Sequence, residues 1–431
     1  MKTVAAHTLG CKVNQYDTQA MLELFLRSGW ESVPMDSGAD AYLINTCTVT
    51  GVGDRKSLQL IRRIRREHPD AKLIVCGCMA QLCGESLLSS GADVVLGTQN
   101  RHRVVQLLEE AYKSGKPVCA VSPLDENTPF ECLSVSSQSE RTRAVIKIQE
   151  GCRNRCSYCI IPSVRGPIRS RPLDEIRREV ARLSQAGFRE LVLTGIHLTS
   201  YGKEIPSGPS LTDVIRMIEE DPGILRVRLG SLEPTFATEE TVAELKQCTK
   251  LCPQFHLALQ SGSDAVLARM RRRYNAEQYL SAVDRIREKF PLAALTTDIL
   301  TGFPGETEQE YAETREMIRK VGFARIHVFP YSPRPGTPAA SMPDQLPTAL
   351  KEARARELIA LGHETALQYL RTWEGREADV LPETKGAKGW EGHTPEYIRV
   401  RLDPIAECRS GVPVRVRLYE ADSRGMRGEI I

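Results

Sequence analysis

The sequence lacks a long apolar run, a secretory signal and a strong net charge. No apolar stretch approaches the ~18 residues of a membrane span, and the opening residues, MKT, do not begin a signal peptide. The net charge of the 431-residue chain is only +3, so a nucleic acid would have to bind at local basic patches. We therefore expect a cytoplasmic protein that has no membrane partner and acts as a monomer.

Cysteine is abundant, with 13 residues. In a secreted protein an odd number would indicate disulfides with one thiol left over. Because these cysteines cluster behind glycines, the sequence instead favours a reduced compartment and metal ligation. Hydrophobic residues at 41% and charged residues at 26% are typical of a soluble globular protein, and the length predicts two to four domains.

Cys152, Cys156 and Cys159 have the spacing C-x3-C-x2-C, with Gly151 in front and Tyr158 before the last thiol. Structural zinc normally takes four ligands, and no fourth Cys or His lies nearby. A [4Fe–4S] cluster held by three thiolates would leave one iron free to bind a ligand. The alternative is one buried helical face, but the intervening residues are poor core neighbours: Arg153, Asn154, Arg155, Ser157.

Residues 1–115 alternate apolar strand patterns with helical patterns, which predicts a doubly wound parallel sheet. The predicted elements include a helix over Asp17–Ser28 and a basic helix over Ser57–Glu67. Cys11, Cys47 and Cys78 each follow a predicted strand, so we expect them to converge at the carboxyl edge of the sheet. Composition alone leaves open whether they form a second cluster site or are unrelated buried thiols.

Residues 116–142 are irregular and predict a linker. Residues 143–370 then repeat a strand followed by a helix six times, which predicts a partial (β/α)6 barrel with a trailing helix. Active sites of such barrels lie in the loops after the strands, where the Cys152 loop also falls. Polar residues and glycines follow four further strands, and they are candidate ligand-binding residues: Thr194, Gly195, Ser231, Glu233, Gln260, Asp298, Gly302.

Residues 371–431 predict several short strands with Gly and Pro turns, as in a small β-barrel. Alternation with apolar residues exposes Arg399 and Arg401 on one strand and Arg415 and Arg417 on another, in two neighbouring rows. The segment has eleven Lys and Arg against eleven Asp and Glu, so RNA binding would depend on these rows. The alternative is an ordinary solvated barrel face.

The cysteine loop resembles the cluster loop of radical S-adenosylmethionine (SAM) enzymes, and GCRNRCSYCIIPSVRGPIRSR, residues 151–171, resembles the methylthiotransferase family. The motifs GCKVNQYD, NTCTV and GCMAQ around Cys11, Cys47 and Cys78 resemble that family's amino-terminal domain, and the last segment resembles its TRAM domain. The resemblance implies two [4Fe–4S] clusters, with SAM held near Tyr158 and the loop residues named above. It also implies that the four arginines bind RNA.

The family's reaction would use one SAM to methylate a sulfur on the second cluster and another SAM to generate a 5′-deoxyadenosyl radical. LGCKVNQYDTQ and LTGIHL most resemble the branch that modifies N6-threonylcarbamoyladenosine at position 37, beside the tRNA anticodon. Asp17 stands where we associate a glutamate with that branch. The implied partners are tRNA, an electron donor such as flavodoxin or ferredoxin, and a sulfur source.

Three alternatives remain from the sequence. Two are branches of the same family, acting on isopentenyladenosine at position 37 of tRNA or on an aspartate of a ribosomal protein. The third is a non-catalytic RNA-binding protein with structural zinc sites, which would be colourless and free of iron. The cluster-loop spacing and the ordered loops after the strands disfavour this third alternative.

Overall fold

The computed structural model describes residues 1–136, 142–387, 389–403 and 408–431. Along the chain it has a parallel sheet flanked by helices, an open barrel whose strands are parallel except for one two-residue strand at an edge, and a small closed β-barrel. None of the helices described is both long enough and apolar enough to cross a bilayer. The predicted α/β fold class and its three-part architecture are therefore confirmed.

The amino-terminal domain is the predicted doubly wound sheet. Its strands are parallel, in the order β2-β1-β3-β4-β5-β6. Helices α1 and α4 cover one face and α2 and α3 the other, each over its own apolar core. The elements are β1 (Thr3–Thr8), α1 (Lys12–Arg27), β2 (Glu31–Ser32), β3 (Ala41–Thr46), α2 (Gly51–Glu67), β4 (Lys72–Gly77), α3 (Cys78–Cys83), β5 (Val94–Leu96), α4 (Val104–Ser114) and β6 (Val118–Ala120).

Two helices begin earlier than the apolar periodicity predicts. Helix α1 begins at Lys12, directly after Cys11, and α2 begins at Gly51, where the Thr50 side chain accepts a hydrogen bond from the Gly53 amide at 3.1 Å. The predicted linker is also not wholly irregular, since its first residues form β6 at the edge of the sheet. Polar first turns and a three-residue edge strand carry little periodicity, so the pattern did not reveal them.

The central domain has the six predicted strand–helix units. Its strands form two sheets, β8-β7-β9-β10 and β11-β12-β13-β14, and the chain passes from one to the other at Gly230. The elements are β7 (Arg143–Glu150), α5 (Ile161–Arg165), β8 (Arg169–Ser170), α6 (Leu173–Gln185), β9 (Glu190–Gly195), α7 (Leu211–Glu219), β10 (Arg226–Leu229), β11 (Ser231–Leu232), α8 (Glu239–Gln247), β12 (Gln254–Leu257), α9 (Asp264–Arg269), α10 (Ala276–Lys289), β13 (Ala294–Thr301), α11 (Glu308–Val321), β14 (Arg325–Pro330) and α12 (Thr348–Arg371).

Helix α1 of the amino-terminal domain covers the inner face of this open barrel. On β7 and β9, one set of alternating side chains packs outward into the large apolar core under the helices. The opposite set includes Val145 and Val192, which contact Tyr16 and Ala20 of α1. The six-strand barrel is therefore closed on one side by the neighbouring domain rather than by further strands.

A buried ion-pair network joins the two domains at this contact. Asp17 of α1 pairs with Arg101, with Lys147 at 2.6 Å and with Arg165 at 3.4 Å. Glu150 at the end of β7 also contacts all three cations, with its closest approach, 3.0 Å, to Arg165. Glu131 adds a third carboxylate, 2.9 Å from Arg101. The network thus contains three carboxylates and three cations. This balance is needed because a buried charge without a partner is costly.

The carboxyl-terminal segment is a closed barrel in the order β15-β16-β17-β19-β18. Its strands are β15 (Glu377–Gly386), β16 (Gly389–His393), β17 (Arg399–Leu402), β18 (Val414–Asp422) and β19 (Gly425–Ile430). It docks on the base of the open barrel, where Arg226 donates to the carbonyls of His393 and Asp379.

The arginine strands of this barrel are not neighbours, so the predicted adjacency of the two rows is wrong. Strand β19 lies between β17 and β18. Its sequence, GMRGEI, has two glycines and only weak alternation, which is why it was not predicted. Arg427 of β19 stands beside Arg401 in the register and brings a further cation to this face.

Replacing Asp17 by Asn should destabilise the protein strongly. The substitution leaves three buried cations against two carboxylates, and breaking a buried pair costs about 3–5 kcal/mol. The midpoint of urea unfolding should fall well below that of the wild type. Asp70→Asn, at an exposed position, is the matched control and should stay within about 0.5 kcal/mol. An unchanged midpoint for Asp17→Asn would show that the network does not hold the domains together.

Candidate functional site

The first cysteine group lies in the loop after β7, whose backbone is fixed by a glycine. Gly151 has φ +72°, and a Cβ there would meet the Pro167 carbonyl oxygen at 1.7 Å, so only glycine fits. The Cys152 amide donates to the Gly166 carbonyl at 3.0 Å, and the Cys159 amide donates to the Cys156 carbonyl at 3.1 Å. These bonds hold the three thiols in one compact loop.

The thiols of this loop lie close enough to act on one another. Burial, with a smaller contribution from the neighbouring Cys156, raises the pKa of Cys152 to about 11. Burial likewise raises the pKa of Cys159 to about 12, again with contributions from the other two cysteines. Cys152 and Cys159 therefore keep their protons at neutral pH in the absence of a metal, and binding a metal would displace those protons.

Hydrogen-bond donors surround the same loop. The Asn154 amide donates to the Cys152 sulfur at 3.3 Å, and Arg272 donates to the Cys156 sulfur at 3.2 Å. Arg272 also pairs with Glu233 at 3.0 Å, and Glu233 lies 3.3 Å from His197. Burial raises the pKa of Glu233, but the hydrogen bond with His197 and the charge of Arg272 overcome this and lower it to about 2. Glu233 is therefore a fixed anion beside the cysteine loop.

The second cysteine group meets at the carboxyl edge of the amino-terminal sheet. Cys11 precedes α1, Cys47 follows β3 and Cys78 begins α3. Gly10, directly before Cys11, packs against the Cys47 side chain, and the Cys11 and Cys47 thiols both act electrostatically on Cys78. At Gly10, φ is +106° and a Cβ would lie 2.9 Å from that of Cys47, which requires glycine at this approach.

Asparagine side chains from the same motifs tie these loops together. Asn14 donates to the carbonyls of Leu9, at 2.8 Å, and Thr46, at 3.0 Å. Asn45 in turn donates to the Asn14 carbonyl at 3.0 Å. The loops that carry Cys11 and Cys47 are thus cross-linked by buried hydrogen bonds, which explains why asparagine accompanies both cysteines.

The two cysteine groups face each other across the domain boundary. Cys78 packs against Ile160 and Val164, which directly follow the first cysteine loop. Arg165, at the end of α5, donates to the Cys78 sulfur at 3.1 Å and also contacts Asn14. Burial raises the pKa of Cys78 to about 11, and the Arg165 charge opposes that rise.

The other predicted ligand-binding residues lie on or near the carboxyl ends of the barrel strands. Tyr158 packs edge to face with Phe303, and Asp298 lies 3.3 Å from His256. Gln260 has φ +66° and bridges to β13. Thr194 and Gly195 are the last residues of β9, Ser231 is the first residue of β11, and Gly302 follows β13 directly. Ser231 is exposed, and the other three are partly or fully buried.

Arg272 and Asn154 are contacts that the sequence did not reveal as part of this site. The run Arg269–Arg273 is ambiguous in sequence between a solvated helix end and an RNA contact. In the structure Arg269 pairs with Glu310 at 2.7 Å, whereas Arg272 is buried against the cysteine loop. Only the tertiary fold separates their roles, because both lie in the same basic run.

Other cysteines stand apart from the two groups. Cys76 is buried in the core under α1 and α4, and its pKa is raised mainly by burial. Cys83 is partly exposed at the end of α3, and Cys248 and Cys252 are buried. Cys78, in contrast, is in contact with Arg165 and the segment after the first cysteine loop.

The donor chemistry of both groups is that of iron–sulfur cluster ligands, since each group supplies three thiols. Within the described ranges, no three His, Cys, Asp or Glu side chains are gathered tightly enough to enclose one metal ion. A [4Fe–4S] cluster instead spreads its thiolates over different irons, so its ligands stand farther apart. Three thiols per group, with N–H donors aimed at sulfur, match that requirement.

The four predicted RNA-binding arginines lie on the terminal barrel, each with an acidic partner. Arg399 pairs with Glu391 at 2.5 Å and Arg401 with Asp422 at 2.7 Å. Arg415 and Arg417 pair with acids of β15. Exposed pairs of this kind are weak, so a phosphate could replace the acid. A cavity of about 610 Å³ beside Arg399 and Arg401 is also lined by Trp390.

Family models match two parts of the chain. Residues 146–318 match the radical SAM superfamily, and residues 3–97 match a family described as uncharacterized protein family UPF0004. These two ranges contain the first and second cysteine groups, respectively.

Curated relatives are similar over nearly the whole chain. A threonylcarbamoyladenosine tRNA methylthiotransferase MtaB of Bacillus subtilis is 38% identical, with 100% of this chain and 97% of that protein aligned. The protein of the same name in Thermotoga maritima is 38% identical over 93% of this chain and 91% of its own. A tRNA-2-methylthio-N(6)-dimethylallyladenosine synthase of Clostridium tetani is 34% identical over 88% and 85%.

Solved structures share the fold at low identity. The radical SAM methyltransferase TsrM from Kitasatospora setae, with cobalamin and a [4Fe–4S] cluster bound, has a TM-score of 0.58 and 14% identity, covering 79% of this chain and 74% of its own. The cobalamin-dependent SAM radical enzyme OxsB has a TM-score of 0.52 and 12% identity, covering 85% and 56%. At these identities the likeness concerns the fold alone.

Each cysteine group should account for half of the bound iron. After anaerobic reconstitution the wild type should hold about eight irons, and replacing either group by alanines should leave about four. The groups are Cys11, Cys47 and Cys78, and Cys152, Cys156 and Cys159. Replacing Cys119, Cys132 and Cys408 instead, which lie outside both groups, should leave the iron content unchanged. Full iron after loss of either group would contradict the assignment.

Proposed function

The chain belongs to the radical SAM methylthiotransferase family, and we propose that it adds a methylthio group to C2 of N6-threonylcarbamoyladenosine at position 37 of tRNA. The observation that carries the proposal is identity of 38% to a protein of that name across the whole chain. Relatives named for the dimethylallyl substrate align over less of the chain or at lower identity. The reaction makes the protein a sulfur-transferring transferase.

The chemistry depends on SAM and iron–sulfur clusters. When bound, one cluster supplies the electron that cleaves SAM to a 5′-deoxyadenosyl radical, and the other carries the sulfur. The family implies the first [4Fe–4S] cluster, and we propose the second. In the net reaction the C2–H bond breaks and a C2–S bond forms. The hydrogen leaves in 5′-deoxyadenosine, and the methyl group comes from another SAM.

The residues around the first cysteine group have complementary roles in this proposal. Cys152, Cys156 and Cys159 would hold the cluster that cleaves SAM, and Asn154 and Arg272 would donate hydrogen bonds to its sulfur ligands. Glu233, a fixed anion in this position, would orient the positively charged end of SAM. The remaining SAM contacts would come from Tyr158 and the strand-end residues: Thr194, Gly195, Ser231, Gln260, Asp298, Gly302.

Cys11, Cys47 and Cys78 would hold the sulfur-carrying cluster. Their position across the domain boundary from the first loop supports this role, because the radical and the sulfur must reach one base. Arg165 contacts Cys78 while lying in the element that follows Cys159. It would fix the distance between the two centres.

The tRNA would be held partly by the terminal barrel. Arg399, Arg401, Arg415 and Arg417 offer cations there, and Trp390 in the adjoining cavity offers a ring on which a base can stack. We further propose a cytoplasmic monomer that takes electrons from a flavodoxin or ferredoxin and sulfur from a separate source.

Alanine substitution of the two cysteine groups should abolish different steps of the reaction. Alanines at Cys152, Cys156 and Cys159 should abolish reductive cleavage of SAM, because no cluster remains to deliver the electron. Alanines at Cys11, Cys47 and Cys78 should preserve cleavage but stop methylthiolation. The readouts are 5′-deoxyadenosine and methylthio-nucleoside, both by liquid chromatography and mass spectrometry. Equal loss of cleavage in both variants would contradict this division of roles.

Deleting the gene should remove 2-methylthio-N6-threonylcarbamoyladenosine from cellular tRNA while its unthiolated precursor accumulates. Mass spectrometry of tRNA nucleosides measures both, and the wild-type gene, but not a Cys152→Ala copy, should restore the product. Loss of the methylthio form of isopentenyladenosine instead would favour the second branch. Persistence of every methylthio-adenosine would contradict the proposed function.

A further inference from the structure

Helix α2 presents a row of cations to solvent. Its inner side packs on the sheet through Ile61 and Ile64, and the side chains opposite these two are exposed: Val52, Arg55, Lys56, Gln59, Arg62, Arg63, Arg66. Because residues three and four apart lie on one side of a helix, the exposed residues form a single face. The five cations of this face are called the basic stripe below.

The positive charge of the basic stripe is largely uncompensated. In the described parts of the chain, no carboxylate lies within ion-pair distance of Arg55, Lys56 or Arg62. The other two cations share one carboxylate, that of Glu67, at 3.6 and 3.3 Å. Five cations and one exposed acid on this face give a local charge of +4, whereas the whole chain has only +3.

Helix stability does not explain the whole stripe. A cation near the carboxyl end of a helix complements the helix dipole, and Arg66 lies in the last turn of α2. Arg55 and Lys56 lie in the second turn instead, toward the positive end of the dipole, where a cation gains nothing from it. These two cations therefore call for a ligand outside the helix.

The stripe begins at the second cysteine group. Gly53, in the first turn of α2, packs against the Cys47 carbonyl, since a Cβ there would lie 3.4 Å from that oxygen. Thr48 donates to Asp54 of α2 at 2.6 Å, and Arg334, from the segment after β14, pairs with Asp54 at 2.6 Å. The start of α2 is thus fixed both to the Cys47 loop and to the open barrel, and the stripe runs from there away from the site.

A straight row of cations matches the backbone of a nucleic acid. Arg55 and Arg66 are eleven positions apart, which is about 16 Å along a helix and spans several successive phosphates. Four of the five cations are arginines, whose planar guanidinium binds a phosphate through two parallel hydrogen bonds. Val49 and Val52 are exposed at the end of the stripe nearest the site, where they offer apolar contact to a ribose or a base.

The position of the stripe favours RNA over an acidic electron donor. In the proposed reaction the donor must reach the first cysteine group, which would hold the cluster that cleaves SAM. The stripe begins instead beside Cys47 of the second group, to which the base must come for its sulfur. The nucleotides that flank this base continue from the site onto the surrounding surface, where the stripe lies.

On the basis of the proposed function, we propose that the basic stripe of α2 binds the phosphate backbone of the tRNA anticodon arm beside position 37. Phosphate contacts fix the position of the tRNA and carry no base sequence information. The arginines of the terminal barrel are each paired with an acid, so α2 supplies the larger uncompensated charge for tRNA.

The test measures binding of fluorescently labelled tRNA to the reconstituted holoenzyme by anisotropy over a range of salt concentrations. The tRNA carries N6-threonylcarbamoyladenosine at position 37 or, in the same sequence, unmodified adenosine. The triple variant Arg55→Gln, Lys56→Gln, Arg62→Gln should bind both tRNAs about tenfold or more weakly, and the slope of log affinity against log salt should fall by about two to three. Arg55→Gln alone should lower the slope by about one.

The matched control removes three other exposed cations: Lys113→Gln, Lys116→Gln, Lys320→Gln. Lys113 and Lys320 lie in the last turns of α4 and α11, which precede the amino ends of strands, so they stand at the opposite edges of the sheets from the cysteine groups. This variant should keep the wild-type affinity and slope. Both triple variants should unfold at the wild-type urea midpoint or above it, because all six side chains are exposed.

Two results would overturn the inference and leave the proposed function intact, provided that the wild type methylthiolates its tRNA. One is wild-type affinity and salt dependence in the Arg55, Lys56 and Arg62 variant, which would make the stripe an ordinary solvated face. The other is normal tRNA binding with slower electron transfer from reduced flavodoxin, which would assign the stripe to the electron donor. A wild-type enzyme that binds no tRNA would overturn the proposed function and this inference together.

Discussion

The interaction on which the site depends is the buried ion-pair network around Asp17. It takes Asp17 and Arg101 from the amino-terminal domain, Lys147 and Glu150 from β7, and Arg165 from the segment after the first cysteine loop. Buried ion pairs add little net stability compared with apolar packing, but they are costly to break and they tolerate little displacement. Such a network therefore favours one arrangement of the two domains over others.

This arrangement brings the two cysteine groups to one place. Each group lies at the carboxyl edge of its own parallel sheet, which is where ligands of such sheets bind. Neither sheet alone would bring the groups together. Arg165 connects the ion-pair network to the second cysteine group, because it pairs with Glu150 and also donates a hydrogen bond to the Cys78 sulfur. The interface between the amino-terminal domain and the open barrel therefore supplies residues that contact the site directly.

The sequence predicted those parts of the structure that depend on patterns within short segments. Apolar periodicity predicted the doubly wound sheet and the six strand–helix units, and spacing predicted the first cysteine group. The positions of Cys11, Cys47 and Cys78 after three strands predicted that they converge, but only the family resemblance implied that they hold a cluster. The sequence could not predict contacts between distant segments. Asp17 stands where a glutamate was expected, and only the fold relates it to Lys147 and Arg101. Sequence alone does not distinguish Arg272 from Arg269, because both lie in one basic run. The glycines of β19 weaken its strand pattern, so the sequence wrongly predicts that the terminal arginine rows are neighbours.

The central claim is that two iron–sulfur clusters face each other across the domain boundary, held by Cys152, Cys156 and Cys159 and by Cys11, Cys47 and Cys78. The most direct measurement is anomalous diffraction at the iron absorption edge from crystals of the anaerobically reconstituted protein. The account predicts two strong iron peaks, one against each group, separated by Arg165 and the start of α5. A single peak, or a second peak beside Cys76 or Cys83, would contradict it.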